Sequence, residues 1–379
     1  MSAGLCRWGI LGTASIARKN WKAIRNSGNG TLTAVASRDA GRARAFVAAC
    51  QSAVPFDPAP RAVGGYGELL AREDIDAVYV PLPTALRQEW VIRAAESGKH
   101  VLCEKPCGVS ASELASMLEA CHRHQRQFMD GVMFMHSRRL AALRQVLDGD
   151  DGIGAVRRIV AQFSFAAPSG WVESNIRTDS RLEPLGCLGD LGWYCLRLAL
   201  WVMQWQLPRS VTGRLLREQA RPDSPATVPT EFAGELIFAD NVSASFYCSF
   251  LAENQQWASV SGTEGYLHLR DFVLPYRGQE IALDVTRARF VTQGCDFHME
   301  DHTRRVPVAE DDAGTPSAQE SNMFRCFADR VLEGRPDPQW GQIALQTQQV
   351  LDACLRSARA GCEPVTPVPG SGSRPLLDR

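Results

Sequence analysis

The sequence has no excess of charge of either sign. It contains 41 lysine and arginine residues and 42 aspartate and glutamate residues, which gives a formal net charge of −1 at pH 7. A protein with so balanced a charge has no general attraction for nucleic acid or for an anionic membrane surface. We therefore expect neither a nucleic acid nor a membrane as a partner.

Long hydrophobic runs are also missing. The densest apolar stretch, residues 191–203, is interrupted by Arg197 and is too short to span a bilayer as a helix. The first seven residues, MSAGLCR, lack the basic start and apolar core of a signal peptide. These two features predict a cytoplasmic protein.

The twelve cysteines include no CxxC pair, and several of them lie in apolar runs, as Cys103 does. We therefore expect buried free thiols rather than disulfides. Cys295, Asp296, His298 and His302 are of types that bind metals, but their segment has the composition of a solvated connection between strands. No metal site is predicted.

The chain is long enough for two domains, with 379 residues of which 45% are hydrophobic and 22% charged. Its first third alternates short apolar runs with helical segments. Strands are predicted at residues 8–12, 32–36, 77–80, 100–103 and 127–132, and helices at residues 14–26, 41–50, 86–97 and 112–124. Such alternation indicates βαβ crossovers, so we predict an α/β Rossmann domain with a parallel sheet over residues 1–130.

Strands dominate after residue 150. They are predicted at residues 156–165, 232–238, 242–250, 257–260 and 266–269, and helices at residues 190–203, 319–332 and 341–360. Runs of strands with few helices predict a C-terminal α+β domain, residues 131–363, with a large, mostly antiparallel, open-faced sheet. Residues 364–379, rich in proline, glycine and serine, are predicted to form a flexible tail.

A glycine turn follows the first predicted strand. Gly12 allows the chain to turn tightly, and the next helix begins with free N–H groups that can bind a pyrophosphate. Alanine stands where the second and third glycines of a dinucleotide motif are usual. The residues that we expect to contact a dinucleotide here are Gly12, Thr13, Ala14, Ser15 and Ile16.

The end of the second strand selects the cofactor. NAD-binding proteins usually carry an acidic residue there, which binds the ribose hydroxyls. This chain has Ser37 and Arg38 instead, and a guanidinium suits a 2′-phosphate. Asp39 comes too late and is expected to cap the next helix. We predict NADP(H), with NAD(H) as the alternative.

The segment Glu104-Lys105-Pro106 follows the strand at residues 100–103. Together with residues 75–81 (IDAVYVP), 94–101 (AAESGKHV) and 189–194 (GDLGWY), it resembles the Gfo/Idh/MocA oxidoreductases. The likeness covers nearly all of residues 5–360, and within the family the chain is similar to the dihydrodiol dehydrogenase, D-xylose dehydrogenase and glucose–fructose oxidoreductase branch. A closer likeness is to a plant and bacterial subgroup of largely unassigned substrate, which carries segments like residues 163–165 (FSF) and 175–177 (NIR).

The resemblance implies roles for three residues. Lys105 would lie close to nicotinamide and substrate, Asp190 would orient the substrate hydroxyl, and Tyr194 would be the acid/base. Relatives often have a cis peptide before the proline of the motif, and many pair through their open sheets as dimers or tetramers.

The chemistry of these side chains agrees with that assignment. Alcohol oxidation requires a base for the hydroxyl proton while hydride leaves the same carbon. Tyr194 follows Asp190 by four residues, so a helix would place both on one face. A neighbouring Lys105 ammonium is expected to stabilise the phenolate and to lower the pKa of the tyrosine.

Further site residues are also implied by the resemblance. For cofactor contact these are Pro81, Pro83, Thr84, Arg87 and Glu104, although relatives commonly have histidine in place of Arg87. For substrate contact the resemblance implies His136, which is equally compatible with a structural hydrogen bond. Trp171 and Arg177 are further candidates because aromatic faces and paired donors suit polyols, and Arg177 is equally compatible with the protein surface.

These features predict an NADP(H)-dependent oxidoreductase acting on a CH–OH or C=O carbon of a sugar, polyol or dihydrodiol. One alternative is a nucleotide-sugar ketoreductase of deoxysugar biosynthesis. Another is a glycosidase that holds NAD tightly and oxidises its substrate transiently. A third is an NADP-binding sensor without catalysis, and the retention of Lys105, Asp190 and Tyr194 argues against it.

Overall fold

The first part of the chain folds into six strands and the helices between them. The computed structural model of the protein describes residues 4–312 and 314–367. The strands are β1 (Cys6–Leu11), β2 (Gly30–Ala36), β3 (Arg61–Val63), β4 (Ala77–Val80), β5 (His100–Cys103) and β6 (Phe128–Asp130). The helices are α1 (Ser15–Ser27), α2 (Ala40–Ala53), α3 (Tyr66–Leu70), α4 (Thr84–Glu96) and α5 (Ala111–Arg123).

All six strands are parallel, in the order β3-β2-β1-β4-β5-β6. The order reverses between β1 and β4, and in such sheets ligands bind in the crevice beyond the carboxyl ends of the strands at that point. The predicted Rossmann domain with a parallel sheet is therefore confirmed. Strand β3 and helix α3 were not predicted, and they are only three and five residues long.

The second part contains an eight-stranded sheet and a separate hairpin. The sheet consists of β7 (Val156–Ser164), β8 (Ser210–Gln219), β9 (Val228–Ile237), β10 (Ser243–Ser249), β11 (Gln255–Gly262), β12 (Tyr266–Leu269), β13 (Ala282–Thr286) and β16 (Thr303–Pro307). Its order is β16-β13-β12-β11-β7-β10-β9-β8, and only β7 and β10 run parallel. The hairpin consists of β14 (Arg289–Gln293) and β15 (Asp296–Glu300).

The five later helices are α6 (Arg139–Asp148), α7 (Trp171–Ser174), α8 (Trp193–Val202), α9 (Gln319–Leu332) and α10 (Gln339–Arg359). Of these, α6, α8 and α10 contact strands of the large sheet, and within the described residues they cover one face only. The predicted open-faced sheet is thus confirmed. Helix α9 packs instead on α1 and β1, where the Trp8 ring lies 5.0 Å from those of Phe324 and Phe327.

A buried ion pair joins the two parts of the chain. Arg197 of α8 and Asp130 at the end of β6 are both inaccessible to solvent, and the Arg197 Nε also donates to Thr347 Oγ1 at 2.8 Å. Loss of either partner would leave a buried charge without compensation, which is strongly destabilising. The pair therefore fixes α8 against the carboxyl end of the parallel sheet.

Two segments outside the main predicted elements form backbone pairs. Val365 exchanges two backbone hydrogen bonds with Val211; the flexible tail stays a prediction, and its residues 368–379 lie outside the described part. The segment of Cys295, Asp296, His298 and His302 was predicted as a solvated connection between strands, but it contains strand β15, which pairs with β14 in an antiparallel ladder. The boundaries at residues 130 and 363 stay predictions.

All twelve cysteines are free, and nine of them are buried, as predicted. Within the described residues no group of three histidine, cysteine, aspartate or glutamate side chains is arranged to hold a metal. Over that same part of the chain, every helix is too short or too polar to cross a membrane.

Candidate active site

The turn after β1 leaves the start of α1 open. Gly12 has φ +112°, a backbone conformation that side chains disfavour, and a Cβ there would lie 3.2 Å from a Leu82 methyl carbon. Helix α1 begins without a side-chain cap at Ala14 and without an acidic residue in its first turn. Ser15 and Ile16 are exposed beside it. The backbone N–H groups of the first turn of α1 are therefore available to a phosphate.

Ser37 and Arg38, the residues after β2 that are predicted to contact a phosphate, differ in exposure. Ser37 is buried, whereas Arg38 is exposed and makes no hydrogen bond or ion pair within the described residues. Asp39 caps α2 by accepting from the backbone N–H groups of Gly41 and Arg42, at 2.6 and 3.2 Å. The Asp39 carboxylate is thus engaged locally, and the Arg38 guanidinium remains free for an anion.

Arg87 is a buried clamp for the loops that follow β4 and β5. Its guanidinium donates to the carbonyl oxygens of Leu82 at 2.7 Å, of Glu104 at 3.1 Å and of Pro106. Arg87 was predicted to contact the cofactor, but three of its donors are used by the backbone. These bonds indicate that Arg87 holds the backbone on both sides of Lys105 in place.

The loop after β4 is bonded to Glu183, a residue of the second part of the chain. Thr84 donates from its backbone N–H and its hydroxyl to the carboxylate of Glu183, at 3.1 and 2.5 Å. The Thr84 hydroxyl, predicted to contact the cofactor, therefore has a protein partner. Pro81 is buried before it and Pro83 half-buried, so Pro83 is the more accessible of the two prolines.

Glu104 fixes the backbone that carries Lys105. Its carboxylate accepts from the Tyr79 hydroxyl at 2.5 Å, from the Asn20 amide at 3.5 Å and from the Lys105 N–H at 3.3 Å. Burial and the Glu104 charge raise the pKa of Tyr79 well above its ordinary value, so this hydroxyl stays a donor. The Lys105–Pro106 peptide is cis.

Lys105, Asp190 and Arg177 form a charged group at the carboxyl edge of the parallel sheet. Lys105 Nζ donates to the Asp190 carboxylate at 2.8 Å and to its carbonyl at 2.6 Å, and Arg177 Nε donates to the other carboxylate oxygen at 2.6 Å. The two cations hold the pKa of Asp190 well below its usual range against the opposing effect of burial. Asp190 is therefore a permanent carboxylate that orients Lys105.

Asp190 lies in a π-helical turn, Leu188–Gly192, that leads into α8. The sequence predicted a regular helix over residues 190–203, and the wider turn is a local departure from it. Such turns are frequent at functional sites because they displace one side chain relative to the rest of the helix.

Tyr194 follows that turn, and its ring lies beneath the Lys105 ammonium. Lys105 Nζ is 4.6 Å from the ring centroid, and the Tyr194 hydroxyl contacts Met133 Sδ at 3.8 Å. The Phe163 ring packs against Tyr194 at 5.5 Å between centroids. The structure therefore brings together Lys105, Asp190 and Tyr194.

The pKa of Tyr194 shifts in the direction opposite to the expected one. Burial raises it well above its ordinary value, and the charges of Glu104, Asp190 and Glu320 raise it further, whereas Arg177 lowers it. The lower pKa was expected from the Lys105 ammonium alone. That ammonium donates its hydrogen bonds to Asp190 and not to the Tyr194 hydroxyl. At neutral pH the phenol therefore keeps its proton.

Arg177, Trp171 and His136, the three predicted substrate residues, do not form a single group. Arg177 is half-exposed beside Asp190, and Trp171 lies six residues before it, half-buried against Phe250 with ring centroids 5.1 Å apart. His136 instead stacks on Trp340 at 4.7 Å, and burial lowers the pKa of its imidazole to about 3. The structure does not bring His136 together with the charged group.

Two residues near Tyr194 were missed by the sequence reasoning. Lys19 of α1 forms an ion pair of 2.7 Å with the buried Glu320 of α9, and its Nζ lies 4.0 Å from Met133 Sδ. Glu183, which accepts two hydrogen bonds from Thr84, was not predicted either. No local signal marks these residues because their partners are about 100 or 300 positions away along the chain.

Family models match both parts of the chain. Residues 6–132 match the model of an oxidoreductase family with an NAD-binding Rossmann fold, and residues 140–268 match the C-terminal domain model of the same family. The chain belongs to the GFO/IDH/MocA oxidoreductase family. Its first domain is accordingly an NAD-binding domain, and the recognition made from the Glu104-Lys105-Pro106 motif is confirmed.

Several members of the GFO/IDH/MocA family are similar over most of their length. A dTDP-3,4-didehydro-2,6-dideoxy-α-D-glucose 3-reductase from Streptomyces violaceoruber is 38% identical over 285 residues, which are 74% of this chain and 77% of that one. A D-xylose 1-dehydrogenase (NADP(+)) from Haloferax volcanii is 32% identical over 93% of this chain and 98% of its own.

A solved structure gives the same fold. The 3-ketoreductase from Actinomadura kijaniata, in complex with TDP-benzene and NADP, superposes with a TM-score of 0.74 over 92% of this chain and 96% of its own, at 25% identity. The family makes the protein an oxidoreductase.

Proposed function

We propose that this protein is an NADP(H)-dependent oxidoreductase that transfers hydride between nicotinamide and a sugar carbon, with Tyr194 as proton donor and acceptor. The observation that carries the proposal is the Lys105 ammonium, bonded to Asp190 and seated 4.6 Å above the Tyr194 ring at the carboxyl edge of the Rossmann sheet. Ligands of open α/β sheets bind at that edge.

The residues present fit the cofactor. The uncapped start of α1 offers N–H groups to the pyrophosphate, and Arg38 is free to pair with a 2′-phosphate. When bound there, the nicotinamide supplies or accepts the hydride. NADP(H) is also named for the similar xylose dehydrogenase and 3-ketoreductase, which supports the choice.

In the direction of reduction, the substrate carbonyl would accept a proton from the Tyr194 hydroxyl. The Lys105 ammonium would stabilise the negative charge that develops on the same oxygen, because a fixed cation in a dry site acts strongly on such charge. Asp190, held by Lys105 and Arg177, keeps the ammonium in place. In oxidation the same groups act in reverse, and Tyr194 must first lose its proton.

Arg177 and Trp171 support a sugar as substrate. A half-exposed guanidinium provides paired donors, and an aromatic face suits the C–H surface of a sugar ring. The proposed substrates include xylose-type sugars and dihydrodiols. A nucleotide-linked keto sugar is a second candidate, favoured by the 38% identity to a dTDP-sugar 3-reductase.

The test is a substrate screen with the purified protein, followed by NADPH absorbance. Free aldoses, polyols and dihydrodiols are offered with NADP+, and free and dTDP-linked keto sugars with NADPH. Turnover of any of these compounds supports the proposal. Tightly retained NAD(H) with no net turnover would favour the glycosidase alternative, and NADP binding alone would favour the sensor.

Substitution of Arg38 by alanine is expected to weaken NADPH binding at least ~10-fold while NADH binding changes little, because the guanidinium pairs only with the 2′-phosphate. Fluorescence titration with both cofactors measures the two dissociation constants. Arg42→Ala is the matched control, since Arg42 is exposed on the adjacent helix α2. Equal losses for both cofactors in Arg38→Ala would refute the phosphate contact.

The raised pKa of Tyr194 predicts opposite pH dependences for the two directions. Oxidation needs the phenolate, so its turnover should increase about tenfold per pH unit from neutral pH upward, whereas reduction uses the phenol and should stay nearly constant there. Pre-steady-state rates in both directions between about pH 6 and pH 9 test this. An oxidation rate independent of pH over that range would contradict the assignment.

We also propose a cytoplasmic location and self-association. Free cysteines throughout the chain suit a reducing compartment. The face of the large sheet that carries no helix offers a broad surface for a second copy of the chain.

A further inference from the structure

The β14–β15 hairpin is an extension of the sheet edge. Strands β13 and β16 pair up to Thr286 opposite Thr303, and the ladder continues in the same register with Arg289 opposite Glu300. Within the described residues β14 and β15 pair only with each other. The outer five pairs, residues 289–300, are called the arm here; at ~3.4 Å per residue the arm extends ~17 Å beyond the sheet.

One face of the arm is apolar. Residues opposite each other in an antiparallel ladder share a face, so Phe290 and Met299 lie together, with Phe297 beside them. They are 62%, 63% and 67% exposed, the largest values for large apolar side chains in the described part of the chain. The Phe290 and Phe297 rings stack at 6.1 Å.

The other face of the arm is mainly polar. It carries the pairs Arg289–Glu300, Val291–His298 and Gln293–Asp296. The arm is therefore amphipathic although no part of the described chain covers its apolar side. A two-stranded ribbon with such a face is marginally stable in water by itself.

The apolar face of the arm continues the helix-free face of the large sheet. In β13 Leu283 and Val285 point into the core, so Asp284 points to the helix-free face, and its partner Arg305 does too. The two ladders keep the same register across residues 287–288, where the Arg287 N–H donates to the His302 carbonyl at 3.1 Å, so Phe290, six residues after Asp284, lies on the same side. The two surfaces thus face the same way.

We propose that the arm grips a second copy of this chain when two copies pair through their helix-free sheet faces. This inference rests on the proposed self-association and assigns the arm its role in it. A twofold axis would make this contact occur twice in the dimer, so the three apolar side chains of each arm would be buried against the other copy. A stable interface buries ~800 Å² per partner, and the adjoining sheet face would add its area to that of the arm. The net charge of −1 gives no appreciable repulsion between copies.

The test compares dimer dissociation constants by light scattering and sedimentation. A triple variant, Phe290→Ser, Phe297→Ser and Met299→Ser, is expected to raise the constant at least ~100-fold, because central apolar contacts carry most of the binding energy. The matched control, Arg289→Ser, Val291→Ser and His298→Ser, alters the other face of the same arm and should stay within ~3-fold of the wild type.

A second variant guards against misfolding. Residues 289–300 are replaced by an Asn-Gly turn, which retains the β13–β16 pairs and should weaken the dimer as the triple variant does. Thermal unfolding and NADPH titration report whether each variant remains folded. An unchanged dissociation constant in the folded triple or shortened variant would overturn the role of the arm while self-association stands. A monomeric wild type would overturn both.

Discussion

Tyr194→Phe is expected to lower turnover at least ~100-fold while NADP(H) binding stays nearly intact. General acid–base catalysis contributes typically 10²–10⁴-fold, and the variant lacks the only group placed to donate the proton in the proposed mechanism. The phenylalanine ring retains the packing against Phe163 and the contact with the Lys105 ammonium, so the fold should not change. Steady-state kinetics and cofactor titration measure the two quantities separately.

The control for this variant is Tyr276→Phe, which removes a hydroxyl from a surface loop. It should leave turnover and cofactor affinity at wild-type values. Near-normal turnover of Tyr194→Phe on the substrate found in the screen would contradict the role assigned to Tyr194.

Lys105→Met is expected to lower turnover at least ~100-fold as well. Methionine has a similar length but no charge, so the reacting oxygen loses its electrostatic stabilisation, and Asp190 keeps only Arg177 as a charged partner. Cofactor binding should change little because the phosphate contacts lie at α1 and Arg38. Both kcat and kcat/KM should fall together, as for an interaction made in the transition state.

Lys22→Met is the matched control, since Lys22 is an exposed lysine of α1. A purely structural role of Lys105 predicts another pattern. In that case Lys105→Met would lower the melting temperature and leave the kcat of the folded fraction unchanged, and that outcome would remove Lys105 from the mechanism.

Much of the site could be predicted from the sequence because its signals are local. The turn at Gly12 and the Glu104-Lys105-Pro106 segment each follow a strand within a few residues, and the cap at Asp39 acts on the next two N–H groups. The parallel sheet follows from the same regular alternation of strands and helices.

What the sequence did not show depends on distant partners. The pKa of Tyr194 is raised by burial and by the charges of Glu104 after β5, Asp190 in the π-helical turn and Glu320 in α9, which are distant from one another in the sequence. Arg87 became a backbone clamp because three carbonyl groups surround it, which no pattern in α4 records. The β14–β15 strands were missed because they have no core-facing side to produce a buried alternation.

The most direct measurement of the central claim is the mass of the sugar product formed with NADPH deuterated at the transferring position. Free and dTDP-linked keto sugars are incubated with the wild-type protein and with Tyr194→Phe. The proposed mechanism predicts one deuterium on the former carbonyl carbon in the wild-type product and at least ~100-fold less product from the variant. A product without deuterium, or equal product from both proteins, would contradict it.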